Sequence, residues 1–404
     1  MINVLNKKDC CGCNACTQAC PQQSISLLSD SEGFLYPHVN IDTCIDCGIC
    51  DNVCPIINRN NPVKPIIAYA AKNLDEDIRL KSSSGGIFTL LAEKVISEGG
   101  VVFGVKFDEN WEVVHSYTDT INGLIDFRGS KYVQSKIGDS FKLVKQFLTT
   151  GRTVLFSGTP CQVSGLKNFL HKKYINLLTV EVVCHGVPSP KVWKDYLNYR
   201  YSALVNKNQR PAFLQKKFGR LQDIAFRDKS KGWKNFGIKF CYSNSTSDEI
   251  KESEVISHKD DIFMKGFLSN LYLRPSCYQC SMRQASSGAD ISIADYWGIQ
   301  IVRQEFDDDK GVSAVIINTD NGLRYFENIK NSTRFIVTDY AKIVQYNPCI
   351  ISSVSEPKQR KLFWEVYPLQ GLECINSICE SMNPSPISIL VKRIIRKIKS
   401  IIKS

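Results

Sequence analysis

The sequence predicts a small α+β domain followed by a larger α/β domain with a mostly parallel sheet and an antiparallel extension. Three observations carry that reading. A pattern C-x2-C-x2-C-x3-C-P occurs twice before residue 56, strand-like and helix-like runs alternate from Ile66 onward, and a polar, basic and aromatic stretch from Ala212 to Tyr242 has the texture of a hairpin.

The repeated pattern places Cys10, Cys13, Cys16, Cys20 and Pro21 in one copy and Cys44, Cys47, Cys50, Cys54 and Pro55 in the other. Three thiolates at this spacing wrap a small turn and face one inorganic cube, while the fourth, ahead of a chain-breaking Pro, is thrown toward the other cube. The expected ligands are therefore Cys10, Cys13, Cys16 and Cys54 for one 4Fe-4S cluster, and Cys44, Cys47, Cys50 and Cys20 for the other. Zinc is the alternative, but structural zinc sites use C-x2-C pairs across a longer spacer. Cys11 competes with its neighbour as a ligand, and only Cys10 keeps the spacing. Between the motifs, ISLLSDSEGFLYPHVNID reads as strand, turn and strand, which makes residues 1–58 a two-cluster, ferredoxin-like domain. INRNNPVKP, polar with two prolines, marks a linker at 59–65.

The remaining chain is divided on the same grounds. IIAYAAK, the turn and helix of KSSSGGIFTLLAEKVISEGG, VVFGVKF, a strand near Val113 and a helix near Ser140 to Leu148 form the first part of an α/β domain, residues 66–150. Its second part, 151–345, contains VLFSGTPCQVSGLKNFL and LLTVEVVCHGVPSPKVWKDYL, each a strand, loop and helix with a cysteine in the loop. The hairpin IAFRDKSKGWKNFGIKFCY follows, then a helix near Asp261 to Ser269, RPSCYQC, the strand DISIADYWG and the strand-helix pair GVSAVIINT and DNGLRYFENI. Residues 346–386 read as a helical extension.

Seventeen cysteines in 404 residues and the start MINVLNKKDCC, without an apolar leader, suit thiolate-held clusters in a reducing compartment, so the cytoplasm is expected. No apolar run approaches the length of a bilayer span. The net charge of +11 is unevenly placed: residues 1–60 sum to −3, and residues 387–404 hold six cations and no acid. That tail, with Ile387, Leu390, Val391, Ile394, Ile395, Ile398, Ile401 and Ile402 at helical spacing, is expected to be a basic amphipathic helix. It would lie on anionic lipid at the inner membrane face or dock on protein. Because the basic balance belongs largely to the tail, nucleic acid is not an expected partner.

Ser82, Ser83, Ser84, Gly85 and Gly86 open a helix, an arrangement that suits a phosphate and equally a plain serine cap with glycines in a turn. Cys161 in SGTPCQ, Cys184 in VCHGVPSP, and Cys277 and Cys280 in C-x2-C are candidates for a third 4Fe-4S cluster, a zinc site, or buried structural thiols. His185 beside Cys184 is a weak catalytic candidate, as a proton carrier or a tuner of a sulfur.

Taken in order, the paired cluster motifs, EGFLYP, SSSGG, GSKYVQS, SGTPCQVSGL, VCHGVPSP, C-x2-C and ADYWG resemble the family of coenzyme F420 hydrogenase/dehydrogenase beta subunits, in the form with a fused two-cluster ferredoxin, over about residues 1 to 320. The resemblance implies an FAD-dependent iron-sulfur oxidoreductase with an α/β flavin-binding domain. It places Ser83, Ser84, Gly85, Gly86, Lys131 and Tyr132 near FAD, with Gly158 and Thr159 counted among the cofactor-binding residues, and favours the third cluster. The expected function is electron transfer between 4Fe-4S clusters, FAD and a two-electron substrate, coenzyme F420 or another small molecule, with a redox partner protein or ferredoxin. The alternative is a non-catalytic electron-transfer subunit docked on a larger complex.

Overall fold

Short runs of Val, Ile, Ala and Phe, buried for most of their length, assemble into one eight-stranded sheet in this computed structural model, which describes residues 1–205, 221–244 and 247–382. The amphipathic tail expected at 387–404 lies outside the described residues. In chain order the strands are β1 (Ile25–Ser29), β2 (Leu35–Val39), β3 (Ile67–Asn73), β4 (Val101–Phe107), β5 (Val113–Thr118), β6 (Val154–Gly158) and β7 (Leu177–Val182). There follow β8 (Leu221–Asp228), β9 (Gly237–Asn244), β10 (Ser247–Ser257), β11 (Ile291–Asp295), β12 (Ser313–Ile317) and β13 (Thr333–Thr338).

The large sheet runs β13-β3-β12-β11-β7-β6-β4-β5. It is mixed, which corrects the expected mostly parallel sheet. The middle pairs β4–β6, β6–β7 and β7–β11 are parallel, and β4–β5, β11–β12, β12–β3 and β3–β13 are antiparallel. At one edge the reason is connection length. Only residues 108–112 separate β4 from β5, and the Asp108 carboxylate tightens that turn by accepting from the N–H of Asn110 at 2.9 Å and of Glu112 at 2.8 Å. A parallel return would need a crossover of a dozen residues or more.

The alternation of side chains along β4 and β6 divides the core. Val102 and Leu155 face a layer with Leu90, Leu91 and Val95 of the helix Ile87–Ser97. Val101, Phe103, Val154 and Phe156 face the other side, against Phe141 and Val144 of the helix Ser140–Thr149 and Val163 and Leu166 of the helix Pro160–Leu170. The antiparallel extension is a sheet of order β10-β9-β8. It packs around Trp193, Tyr196, Phe226, Phe240 and Phe263, which share one cluster with Phe363 and Ile375 from the C-terminal helices Gln359–Gln370 and Cys374–Met382.

In the N-terminal module β1 and β2 form the expected hairpin. Each cysteine motif runs into a short helix, Ala15–Ala19 and Ile49–Asn52, entered through a left-handed residue, Asn14 (φ 60°) and Gly48 (φ 71°). Cys13, Ala15 and Val53 belong to the same core cluster as Phe103 and Phe156, so the module is seated on the second face of the large sheet. Gln18 Oε1 accepts from the N–H groups of Phe141 (2.9 Å) and Lys142 (3.3 Å), capping a helix of the larger body from the smaller one. Arg360 donates to Glu32, and Ser189 Oγ donates to the Glu32 carbonyl, at a second point of attachment.

Candidate metal centres and cofactor site

Cys20, Cys44, Cys47 and Cys50 line one cavity of about 350 Å³ counting its mouth, together with Ile25, Val39 and Ile49. Cys47 is exposed and Cys50 buried. The N–H of Ile2 donates to Cys50 Sγ at 3.1 Å and that of Ser24 to Cys20 Sγ at 3.3 Å. Such bonds stabilise thiolate charge and are one of the levers on a cluster's potential.

The other four motif cysteines, Cys10, Cys13, Cys16 and Cys54, gather beside it. Burial pushes the Cys16 thiol up to about 12, and the neighbouring Cys10 and Cys54 add to the rise. Cys54 is raised by burial, with Cys10 again contributing, and Cys13 lies in the field of Cys16. The adjacent Cys11 has different company. Its thiol hydrogen-bonds with Cys13, which raises its pKa, and with Cys161 of the larger body. Cys10 therefore sits with Cys16 and Cys54, whereas Cys11 bridges toward a third group of cysteines.

That third group comes from three elements. In SGTPCQ, Thr159 is the N-cap, Pro160 opens the helix Pro160–Leu170, and Gln162 completes a capping box, its Oε1 accepting from the Thr159 N–H at 2.9 Å. Cys161 is thereby held in the first turn, 3.2 Å from Thr159 Oγ1. Cys184 follows β7 by two residues. Cys277 lies in the 3-10 turn Pro275–Gln279, which Cys280 ends. All four thiols, with Cys11 and Gln134, line one cavity of about 710 Å³ counting its mouth.

Burial pushes Cys184 and Cys280 upward and Cys277 up to about 12, and Cys161 is raised first by its bond with Cys11 and then by burial. Thiolates at such depth are costly unless a cation repays their desolvation, so the donor set suits an iron cluster. Among the described residues no three of His, Cys, Asp and Glu are drawn around a single-ion position. His185 is held elsewhere, its ring against Asn270 Oδ1 (2.6 Å), Cys349 Sγ (3.9 Å) and the edge of Phe267, and burial lowers its pKa. It does not line the cysteine cavity.

The residues expected near a flavin divide into two neighbourhoods. Ser83 Oγ meets Ser130 Oγ at 2.9 Å and accepts from the Ser130 N–H at 2.7 Å, which joins SSSGG to the loop GSKYVQS. Lys131 Nζ donates to the carbonyls of Asp126 (2.6 Å) and Arg128 (3.0 Å), and burial lowers its pKa to about 8. The Tyr132 ring packs on Phe226 and Phe267. Gly158 and Thr159, by contrast, belong to the helix start that holds Cys161, and Thr159 lines the cysteine cavity.

The glycine pair serves the backbone. A Cβ on Gly85 would lie 2.3 Å from the Ala71 carbonyl oxygen and 2.7 Å from the Ser313 nitrogen, and Gly86 takes φ +82° to start the helix. Ser84 Oγ donates to the Val312 carbonyl at 2.8 Å.

Sequence reasoning missed Arg227. This buried side chain donates to Tyr132 Oη at 3.2 Å and Asp295 Oδ2 at 2.7 Å, and lies over the rings of Phe236 and Trp297. Its Nε and Nη2 have no hydrogen-bond partner among the described residues. Two open donors on a buried guanidinium call for a ligand rich in oxygen or negative charge. The available signal was a cation directly after the apolar residues IAF of β8, paired with the acid of ADYWG.

Residues 68–142 match the N-terminal segment, and residues 151–342 the C-terminal segment, of the family described as coenzyme F420 hydrogenase/dehydrogenase beta subunits, and residues 9–56 match a 4Fe-4S dicluster domain. Among curated proteins, the F component of the F(420)H(2) dehydrogenase of Methanosarcina mazei is 19% identical over 255 residues, 58% of this chain and 72% of that protein. The PorD component of the pyruvate synthase of Thermotoga maritima is 40% identical over 55 residues, 14% of this chain and 52% of that protein. A chain in the solved structure of the xenon-derivatised F420-reducing NiFe hydrogenase complex from Methanosarcina barkeri is 18% identical, with a TM-score of 0.42 over 71% of this chain and 91% of its own. The chain belongs to the family of coenzyme F420 hydrogenase/dehydrogenase beta subunits and carries a 4Fe-4S dicluster domain ahead of the family's two segments.

Proposed function

We propose that this chain is an iron-sulfur flavoprotein oxidoreductase with three 4Fe-4S sites and one FAD, acting on a small two-electron carrier of the coenzyme F420 type. The supporting observation is the cavity that collects Cys161, Cys184, Cys277 and Cys280 from three elements and receives Cys11 from the two-cluster module. Cys10, Cys13, Cys16 and Cys54 would hold one cluster, and Cys20, Cys44, Cys47 and Cys50 another. Ser83, Ser84, Lys131, Tyr132 and Arg227 would hold FAD, with the open donors of Arg227 the point of fit. When bound, the clusters supply one-electron chemistry and the flavin supplies the exchange between single electrons and pairs.

The chain's own residues do the positioning. Ser83 and Ser130 tie the helix start to the loop carrying Lys131 and Tyr132, and Asp295 holds one end of the Arg227 guanidinium. Lys229 Nζ donates to the carbonyls of Arg79 (2.9 Å), Ser84 (2.8 Å) and Lys310 (2.8 Å), which fixes the serine segment against the β12 approach.

Protein purified without air is expected to hold about twelve iron atoms per chain and to show flavin absorbance. A folded product free of iron and flavin overturns the reading. Arg227→Met is expected to weaken FAD binding at least about tenfold, since a hydrogen bond to a charged group contributes about 1.5–3 kcal/mol, with iron content unchanged. Equal flavin retention by variant and parent would remove Arg227 from the site.

A second reading, an electron-transfer subunit of a larger assembly, is favoured by one observation. The exposed Cys47 stands near Ile41 and Ile45 in sequence, and those side chains are 70% and 61% exposed. A dithionite-reduced chain offered deazaflavin, nicotinamide and quinone acceptors separates the two: reoxidation by one of them supports the enzyme, and none without a partner protein supports the docked electron carrier.

A further inference from the structure

We propose that Arg274 is the resident counter-charge of the cluster held at Cys10, a positioning residue that raises that cluster's affinity for an electron and aligns it with the Cys161–Cys184–Cys277–Cys280 cavity. The inference rests on the cluster reading above.

Arg274 has no exposed surface. Its Nε donates to the Cys10 carbonyl at 2.7 Å, Nη2 to Cys10 Sγ at 3.4 Å and to the Leu35 carbonyl at 3.0 Å, and Nη1 to Gln134 Oε1 at 3.0 Å. One face of the guanidinium lies 4.3 Å from the centre of the Tyr36 ring. Gly12 makes the approach feasible, because a Cβ there would stand 2.7 Å from Arg274 Nη1 and 2.5 Å from Gln134 Nε2. Every one of these side-chain contacts except Gln134 belongs to the two-cluster module.

The backbone of the same residue belongs to the third cysteine group. Arg274 N–H donates to the Val187 carbonyl at 2.9 Å, and the Arg274 carbonyl accepts from Cys277 N–H at 2.8 Å. One residue therefore touches the sulfur of Cys10 with its side chain and sets the turn of Cys277 with its main chain.

Charge accounting gives the reason. Five arginines are buried among the described residues: Arg79, Arg227, Arg274, Arg283 and Arg360. Arg79 pairs with Asp308, Arg227 with Asp295 and Arg360 with Glu32. Arg274 and Arg283 have no carboxylate within ion-pairing distance among the described residues, and both sit at cysteine sites. Arg283 lines the third cavity and donates to the carbonyls of Cys184 (2.6 Å) and Cys349 (2.5 Å). A buried cation without a counter-ion is strongly unfavourable. Four thiolates around a cubane carry net negative charge, which becomes more negative by one on reduction, so a fixed cation bonded to a ligand sulfur favours the reduced form.

The test is a redox titration of the full chain, reduced by dithionite, an electron donor that adds one electron to each cluster without making or breaking a ligand bond, and followed by electron paramagnetic resonance. In Arg274→Gln the reduced-to-oxidised ratio of one N-terminal cluster at fixed potential is expected to fall about tenfold, 59 mV more negative for one electron. The cluster of Cys20, Cys44, Cys47 and Cys50 should be unmoved. Arg274→Lys, which keeps the charge, should stay within about threefold of the parent. Arg360→Gln removes the attachment at Glu32 together with the bonds from Arg360 to the Leu273 carbonyl and Tyr278 Oη, but no donor to a cysteine, and should leave both potentials in place.

Full iron content with an unmoved potential in Arg274→Gln overturns the proposal, as does an equal shift in Arg360→Gln, which would make the effect mere loosening. Should Arg274→Gln fail to retain iron, Arg274→Lys decides: a ratio near the parent supports the counter-charge and a tenfold fall overturns it. A parent chain without iron signals refutes the cluster reading itself, a separate failure.

Discussion

Replacing Cys277 with alanine is expected to remove about four iron atoms per chain and to leave the signals of the N-terminal pair in place. The site loses one of four thiols contributed by three elements; Cys11 lines the same cavity from the two-cluster module, and Cys349 lies against His185. The N-terminal module has its own hairpin and its own cysteine-lined cavity, so its assembly does not depend on this turn. Alanine at a turn position exchanges a buried thiol for a methyl, a change worth about 1 kcal/mol in folding, so the chain should survive to be analysed. Iron analysis beside resonance spectra of the dithionite-reduced variant checks this result. Undiminished iron would mean that the four cysteines do not share a cluster.

Gly85→Val is expected to cost about 3 kcal/mol or more and to abolish flavin retention. The new Cβ would meet the Ala71 carbonyl at 2.3 Å and the Ser313 nitrogen at 2.7 Å, and both are backbone atoms of the central sheet that have no rotamer by which to escape. The start of the helix Ile87–Ser97 must then lift away from β3 and β12. That breaks the bond from the Gly85 N–H to Ser313 Oγ at 2.9 Å and displaces Ser83 from Ser130. For a chain of 404 residues, at about 1.2 °C per kcal/mol, the melting point should fall by roughly 3–4 °C or more. Gly86→Ala, where the cost is a left-handed φ, should lose only about 1–2 kcal/mol. Thermal unfolding with flavin fluorescence on release distinguishes the two, and equal melting points would refute the packing account.

The cysteine spacing was legible because each motif is a local device. A turn of fixed length presents its own thiols and the hairpin between the motifs returns the fourth, and Cys20, Cys44, Cys47 and Cys50 line one cavity. SGTPCQ was legible for the same reason, since Thr, Pro and Gln at successive N-terminal positions define a helix start wherever they occur. The direction of the outer strands was not, because pairing is decided between distant segments: β3 lies between β12 and β13, nearly the whole length of the α/β body away in sequence. Strand β10 escaped because its charged residues mask the alternation that marks a strand. The packing role of the glycine pair was not legible, because the backbone that a Cβ on Gly85 would meet comes from Ala71 and from Ser313, far along the chain. Arg274 was invisible for the most general reason, since its partner Cys10 is 264 residues away.

The exposure of Cys47 at the mouth of the outer cavity has a practical corollary. Oxygen and peroxide would reach that sulfur before the half-buried Cys161 and Cys277 and the buried Cys13. Aerial bleaching should therefore run from the rim inward. Briefly aerated samples would keep the inner centres, and a handling history could be read from which half of the colour has gone.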